Sequence, residues 1–305
     1  MRQALSGSLV DLARRNPKLL LLTGDHGYAL FDEFRKHFPH QYVNAGVAEQ
    51  NMVGMAAGLS RVGYFPIVYG LSAFVPVRVL EQIKLDVCHD NLPVIFLGDG
   101  AGFVYSALGT SHQSTEDIAA TRAIPNLSVL SPADRHEMDA VMRLASHARS
   151  PAYVRIGKSD LGDVHPGPVT FDLGDLVQVR KSASQVTFIA TGSMVRTAVE
   201  LAAEFDDANV WSAPTIKPLN LDQLTACLEA SRLVVTFEEH SIHGGLGGQV
   251  AEVSAETCPV RVLKIGVNDR FSELCGSYRY LLKEHGLDIE SVRARIRDYA
   301  TKFLS

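Results

Sequence analysis

The chain has 305 residues, 46% of them hydrophobic and 21% charged, with a formal net charge of −5. That length accommodates two substantial cores, and dispersed Lys and Arg under a net negative charge leave no basic stripe for nucleic acid. The four cysteines, Cys88, Cys227, Cys258 and Cys275, lie far apart without a CxxC pair, which argues against a zinc ribbon or redox dithiol and suits a reducing compartment.

Residues 2–16 alternate as an amphipathic helix without the long apolar core of a secretory signal, and no apolar run is long enough for a bilayer. The expectation is a cytoplasmic protein with no membrane partner. Asn16-Pro17 ends that helix, and residues 19–22 read as a buried strand that delivers Thr23-Gly24-Asp25 at its carboxyl end, where open α/β sheets build their sites. A lone Asp there is an ordinary loop cap. Residues 43–46 read as a strand end and turn, with Asn44 as cap and a helix after Val47. Glu49 then falls in the first helical turn. On spacing alone it only complements the helix dipole, worth under about 1 kcal/mol. Gly54, Ala56, Ala57 and Gly58 leave so little side chain that this helix is expected to pack closely against another backbone.

A strand over 64–69 leads to a helix expected from Phe74 to residue 85, with Pro76 in its first turn; Phe74 alone reads as core. Residues 94–97 form a strand running into Gly98-Asp99-Gly100, and the small-residue loop 101–113 ends in Ser111-His112-Gln113. A helical turn over 116–123, a strand over 127–130, a helix over 134–148 capped by Ser131 or Asp134, and a strand over 152–156 before Gly157-Lys158 complete a first domain, 1–158. A solvated lysine is an ordinary reading for Lys158. The linker, 159–184, opens on a proline- and glycine-rich stretch and ends in a strand or hairpin over 171–181. Strands over 187–190, 209–212, 233–237 and 260–265 alternate with helices over 192–205, 221–230 and 246–256 in a second domain, 185–305. The fold class expected is α/β: two domains, each a mainly parallel sheet flanked by helices. Glu238, Glu239, His240 and His243 precede a glycine-rich turn but lack a further ligand at zinc spacing; the glycines suit tight entry into the next helix.

The stretch Gly24–Ser60, which includes VAEQN, resembles the pyrimidine-binding domain of the transketolase family, which includes 1-deoxyxylulose-5-phosphate synthase and pyruvate dehydrogenase beta subunits. FVPVR (Phe74–Arg78), Thr110–Asp134, IKPLN and FEEHSIHGGLGG (Phe237–Gly248) follow in the family's order. Only the C-terminal section of a transketolase is resembled. The resemblance implies thiamine diphosphate chemistry, with Glu49 as the acid at the pyrimidine N1′, Phe74 on the pyrimidine ring, and Asp25 and Arg78 beside the cofactor. A small-residue setting would favour the protonated acid at Glu49. It further implies that His112 acts on the sugar donor, with Gln113 and Lys158 as substrate-binding residues, Lys158 at the terminal phosphate. Leu108 stands where many relatives carry an acidic residue, which puts the usual hydroxyl preference in doubt.

Gly98-Asp99-Gly100 with Asn126 imitates the family's Mg²⁺ motif in spacing, but the apolar strand follows the asparagine instead of preceding it, so no metal ligand is assigned here. Mg²⁺ and the diphosphate are expected from a second polypeptide resembling the N-terminal section of transketolase, in a heterotetramer with two copies of each chain. The expected reaction moves a two-carbon ketol unit from a ketose or ketose phosphate to an aldose. A 2-oxo acid dehydrogenase beta subunit, a 1-deoxyxylulose-5-phosphate-synthase-like enzyme and an inactive scaffolding homologue are the alternatives.

Overall fold

The computed structural model describes all residues except Tyr28, which falls within the stretch of resemblance, and Ser305; of Leu304 only the backbone is described. A seven-stranded sheet runs in the order β10-β5-β6-β4-β3-β1-β2. Its strands are β1 Leu19–Thr23, β2 Tyr42–Asn44, β3 Phe65–Leu71, β4 Ile95–Asp99, β5 Ser128–Leu130, β6 Ala152–Ile156 and β10 Thr215–Lys217. A five-stranded sheet runs β12-β11-β8-β9-β7, with β7 Val177–Arg180, β8 Val186–Ala190, β9 Asn209–Ser212, β11 Leu233–Ser241 and β12 Arg261–Val267.

Alternation along each central strand decides what each face buries. In register, Leu21, Ile67 and Ile95 share one face of the first sheet. There they meet Leu5 and Leu9 of α1 (Arg2–Arg15), Phe34 of α2 (Asp32–His37) and Met138 and Val141 of α6 (Arg135–Ala148). Leu22, Val68 and Phe96 point the other way, onto Met52, Val53 and Ala56 of α3 (Glu49–Arg61), Ile83 and Val87 of the π-helix Ile83–Cys88, and Ile118 of α5 (Asp117–Arg122). The same core continues without a break into Leu224 of α8 (Leu221–Glu229), Val250 of α9 (Leu246–Glu256) and Val234 of β11. The far face of the second sheet packs on α7 (Met194–Ala202), α10 (Tyr278–Glu284) and α11 (Ile289–Leu304).

Both sheets are mainly parallel, as expected, with two antiparallel pairings, β7 on β9 and β10 on β5. Other expectations are corrected. The β10 strand follows the linker in sequence yet extends the first sheet, so the two units share an edge. Nothing in Thr215–Lys217, three residues long, signals which sheet it joins. Phe74 does not start a helix: a cis Val75–Pro76 bond precedes a 3₁₀ turn at Val77–Val79, and α4 (Leu80–Gln82) widens into a π-helix over Ile83–Cys88. Ala48 occupies the N-cap position of α3 without a side-chain bond, while Asn44 Oδ1 accepts from Gly46 N at 2.8 Å. An Asx turn therefore replaces the expected cap. Ala56 and Ala57 are buried in the first sheet's core, whereas Gly54 and Gly58 meet no other described part of the chain within 4 Å of a Cβ position, so the close packing expected of this helix holds for the alanines and not for the glycines. Asp134 does cap α6, accepting from His136 N and Glu137 N.

Candidate active site

The carboxyl ends of β1, β3, β4 and β6 converge on one edge of the first sheet, and the loops leaving them carry most of the expected residues. Glu49 opens α3 and is 8% exposed. Arg78 Nη1 donates to Glu49 Oε2 at 3.1 Å, so this carboxylate is paired rather than isolated among small residues as expected. The same guanidinium lies 3.9 Å from the centre of the Phe74 ring, a cation–π contact that keeps the planar group flat on the aromatic face. His112 meets Phe74 edge-on with centroids 5.3 Å apart, and Ser111 Oγ lies 2.9 Å from His112 Nδ1. On the other side His26 lies 6.2 Å from the Phe74 ring and pairs with Asp25 at 3.1 Å.

Phe74 is thus the centre of a continuous chain: Glu49, Arg78, Phe74, His112, and through His26, Asp25. Phe74 and Arg78, four residues apart, lie on one side of the segment, with the guanidinium over the ring. His26 was missed because a histidine beside an aspartate in a loop has no distinguishing pattern.

Gln113 and Lys158 lie apart from this chain. Gln113 is buried, with Oε1 accepting from Ser272 Oγ at 2.8 Å, so it faces the second domain. Lys158 pairs with Asp160 at 2.9 Å and its ammonium lies 5.5 Å from the Tyr278 ring centre. The hydrogen bond from Lys158 holds the Asp160 carboxyl below its ordinary value. Arg2 also faces Asp160 electrostatically and ion-pairs with Asp99 at 2.6 Å, which brings a second cation to this edge from the far end of α1.

Asp99 and Asn126 do not meet. Asp99 Oδ2 accepts from Arg2, from Tyr69 OH at 2.8 Å and from Tyr105 OH at 3.1 Å. Burial and that carboxylate push the Tyr105 phenol up to about 12, so it remains a donor. Asn126, at φ 66°, donates to Cys88 O across the domain. Glu238 holds the start of α9 within the second domain, and His240 serves the domain junction. Glu238 accepts from Leu246 N and Gly247 N at the start of α9, both at 2.8 Å. A Cβ on Gly245 would stand 2.0 Å from Glu238 Oε2, so glycine is needed for this approach. His240 Nε2 accepts from Ala119 N at 3.2 Å and its Nδ1 donates to Ser241 O at 2.8 Å. Burial drops its pKa to about 4, so the ring stays neutral in this role.

The transketolase pyrimidine binding domain matches residues 1–163 and the transketolase C-terminal domain residues 175–292. A Methanocaldococcus jannaschii protein named as a transketolase C-terminal section is 36% identical, over 99% of this chain and 96% of that protein. One subunit of the apulose-4-phosphate transketolase of Phocaeicola vulgatus is 32% identical, over 99% and 97%. Among solved structures, a split-gene transketolase described as an inactive beta4 tetramer superposes with a TM-score of 0.89 at 36% identity, covering 98% of each chain. With the matched domains spanning nearly all of its length, the chain belongs to the transketolase family, as a C-terminal section that joins the pyrimidine-binding domain to the C-terminal domain.

Proposed function

We propose that this chain is the beta subunit of a two-chain transketolase that transfers a two-carbon ketol unit from a ketose or ketose phosphate to an aldose. The observation that supports it most directly is the nearly buried Glu49 carboxylate linked through Arg78 to the Phe74 ring, with His112 at that ring's edge. Thiamine diphosphate, when bound, supplies a carbon acid whose conjugate base adds to ketose carbonyls. The residues present fit its pyrimidine end. Glu49 would hold the pyrimidine at its N1′ ring nitrogen, and Phe74 would offer the aromatic face. Because Arg78 covers that face and engages Glu49, its guanidinium would have to move off to admit the ring. His112 orients the donor's hydroxyls and stabilises negative charge on its oxygens. Lys158 receives the substrate's terminal anion in exchange for Asp160.

The engagement of the Asp99 carboxylate by Arg2, Tyr69 and Tyr105 supports placing the diphosphate and Mg²⁺ end on another chain. An N-terminal subunit supplies that half, in an α2β2 assembly whose active site spans the contact between unlike chains. The split-gene relative described as an inactive beta4 tetramer supports this division. Leu108, 56% exposed in the substrate loop, accords with an acceptor other than the ordinary pentose phosphates, as the apulose-4-phosphate enzyme illustrates within the family.

Calorimetric titration of thiamine diphosphate and Mg²⁺ into this chain, alone and mixed with an N-terminal subunit, tests the proposal. Binding only in the mixture, with ketose cleavage lost in Glu49→Gln, is the expected result. Tight Mg²⁺-dependent binding by this chain alone would overturn the two-chain account.

A further inference from the structure

Loop 101–113 carries His112, and both of its ends are fastened to the second domain. At its neck Gly102 and Ser114 exchange backbone hydrogen bonds of 2.8 and 3.0 Å. Just inside the neck, Phe103 N donates to Glu239 Oε1 at 2.6 Å, while Glu239 Oε2 accepts from Ser193 Oγ at 2.6 Å and Tyr278 OH at 2.5 Å. Glu239 is 1% exposed, so all three donors are spent inside the protein. A Cβ on Gly102 would stand 2.3 Å from Glu239 Oε1, at a φ of 68° that also favours glycine. The chain therefore reaches Glu239 more closely than any other residue type allows. The Phe103 ring stacks on His285 at 4.7 Å, and Ser272 Oγ bridges His285 Nε2 and Gln113 Oε1 at the loop's other end.

The same carboxylate reaches a second part of the site. Tyr278, whose hydroxyl it holds, presents its ring to the Lys158 ammonium. A carboxylate with two oxygens can accept all three donors only while ionised; the amide of glutamine replaces one acceptor by a donor.

We infer that Glu239 is a positioning residue through which the second domain sets both the His112 loop and Lys158, so that this domain acts on substrate geometry without touching substrate. This rests on the ketol-transfer reading of the site, but its first test does not need catalysis. In the full chain, Glu239→Gln is expected to speed amide exchange over 101–113 at least about tenfold while leaving β4 (Ile95–Asp99) protected. Tyr278→Phe and Ser193→Ala each remove one donor and keep the packing, so they supply the answer if Glu239→Gln fails to fold. In the assembled enzyme the variants should raise KM for a phosphorylated ketose about tenfold, with thiamine diphosphate affinity unchanged. Uniform loss of protection across both domains, or unchanged exchange in the loop with unchanged KM, would reduce Glu239 to a structural weld and overturn the inference. A wild-type assembly with normal loop protection but no ketol transfer would instead overturn the functional reading alone.

Discussion

The Glu49–Arg78–Phe74–His112 chain and the domain junction around Arg155, Asp117, Glu239 and His240 are both polar, yet they are held in opposite ways. In the junction these charges are buried and met. Arg155, 1% exposed, donates through Nε to both oxygens of Asp117 and through Nη2 to Ser114 O and Glu239 O, while Tyr153 OH donates to Asp117 at 2.6 Å. In the candidate site the Arg78 side chain is 46% exposed and meets Glu49 through one hydrogen bond. The chain thus builds its frame rigidly and leaves its chemistry adjustable. Buried charges demand complete partners, whereas half-exposed ones exchange partners at little cost.

The largest effect on stability should come from breaking the junction. Asp117→Ala strands a buried guanidinium and is expected to cost about 3–5 kcal/mol in urea unfolding. Next is acid. Neutral His240 cannot take a proton until about pH 4, whereas in the unfolded chain it does so near 6.5. Its contribution is therefore present above 6.5 and falls away as pH drops to 4, by about 3 kcal/mol at most. A His240→Gln variant should show a shallower loss of stability over that window.

A third prediction concerns His165, in the linker, whose ring lies 2.7 Å from Glu137 Oε1. Burial alone would lower its pKa, but the hydrogen bond and charge of Glu137 outweigh it and the net shift is upward. That contribution is complete below about 6.5 and is lost as pH rises through the raised folded value. Replacing His165 by Asn should thus lower the melting temperature more at about pH 6 than at about pH 9.

In the candidate site the order reverses. Arg78→Ala removes a half-exposed guanidinium and a cation–π contact but leaves the nearly buried Glu49 carboxylate without that partner, so stability should fall by about 1–3 kcal/mol, less than at Asp117. Because the guanidinium covers the face expected to receive the pyrimidine, calorimetry of the assembled enzyme should show thiamine diphosphate binding a few-fold tighter. Weaker binding would instead make Arg78 a direct cofactor ligand. Glu49→Gln should leave the melting curve almost untouched and lower ketol transfer by a factor of at least about 10², the usual scale for losing an acid–base group. An equal loss of stability and activity there would erase the distinction between frame and site.

The α/β class and most central strands follow from the amino acids alone, because four-residue apolar runs such as 19–22 and 94–97 are buried on both faces of a parallel sheet. Motifs along the chain also singled out Glu49, Phe74 and His112, which are 25 or more positions apart and which the fold links into one chain. It took the folded molecule to reveal that Arg78 bridges two of them, that Gln113 turns inward to Ser272, and that Arg2 and Tyr278 reach the same edge as Lys158. The crossing of β10 to the first sheet and the fastening of the substrate loop by Glu239 likewise emerge only there. The physical reason is common to all of these. Periodicity reports which face of an element is buried, but the partner of a polar group is chosen by long-range packing, between residues whose separation in the chain carries no signal.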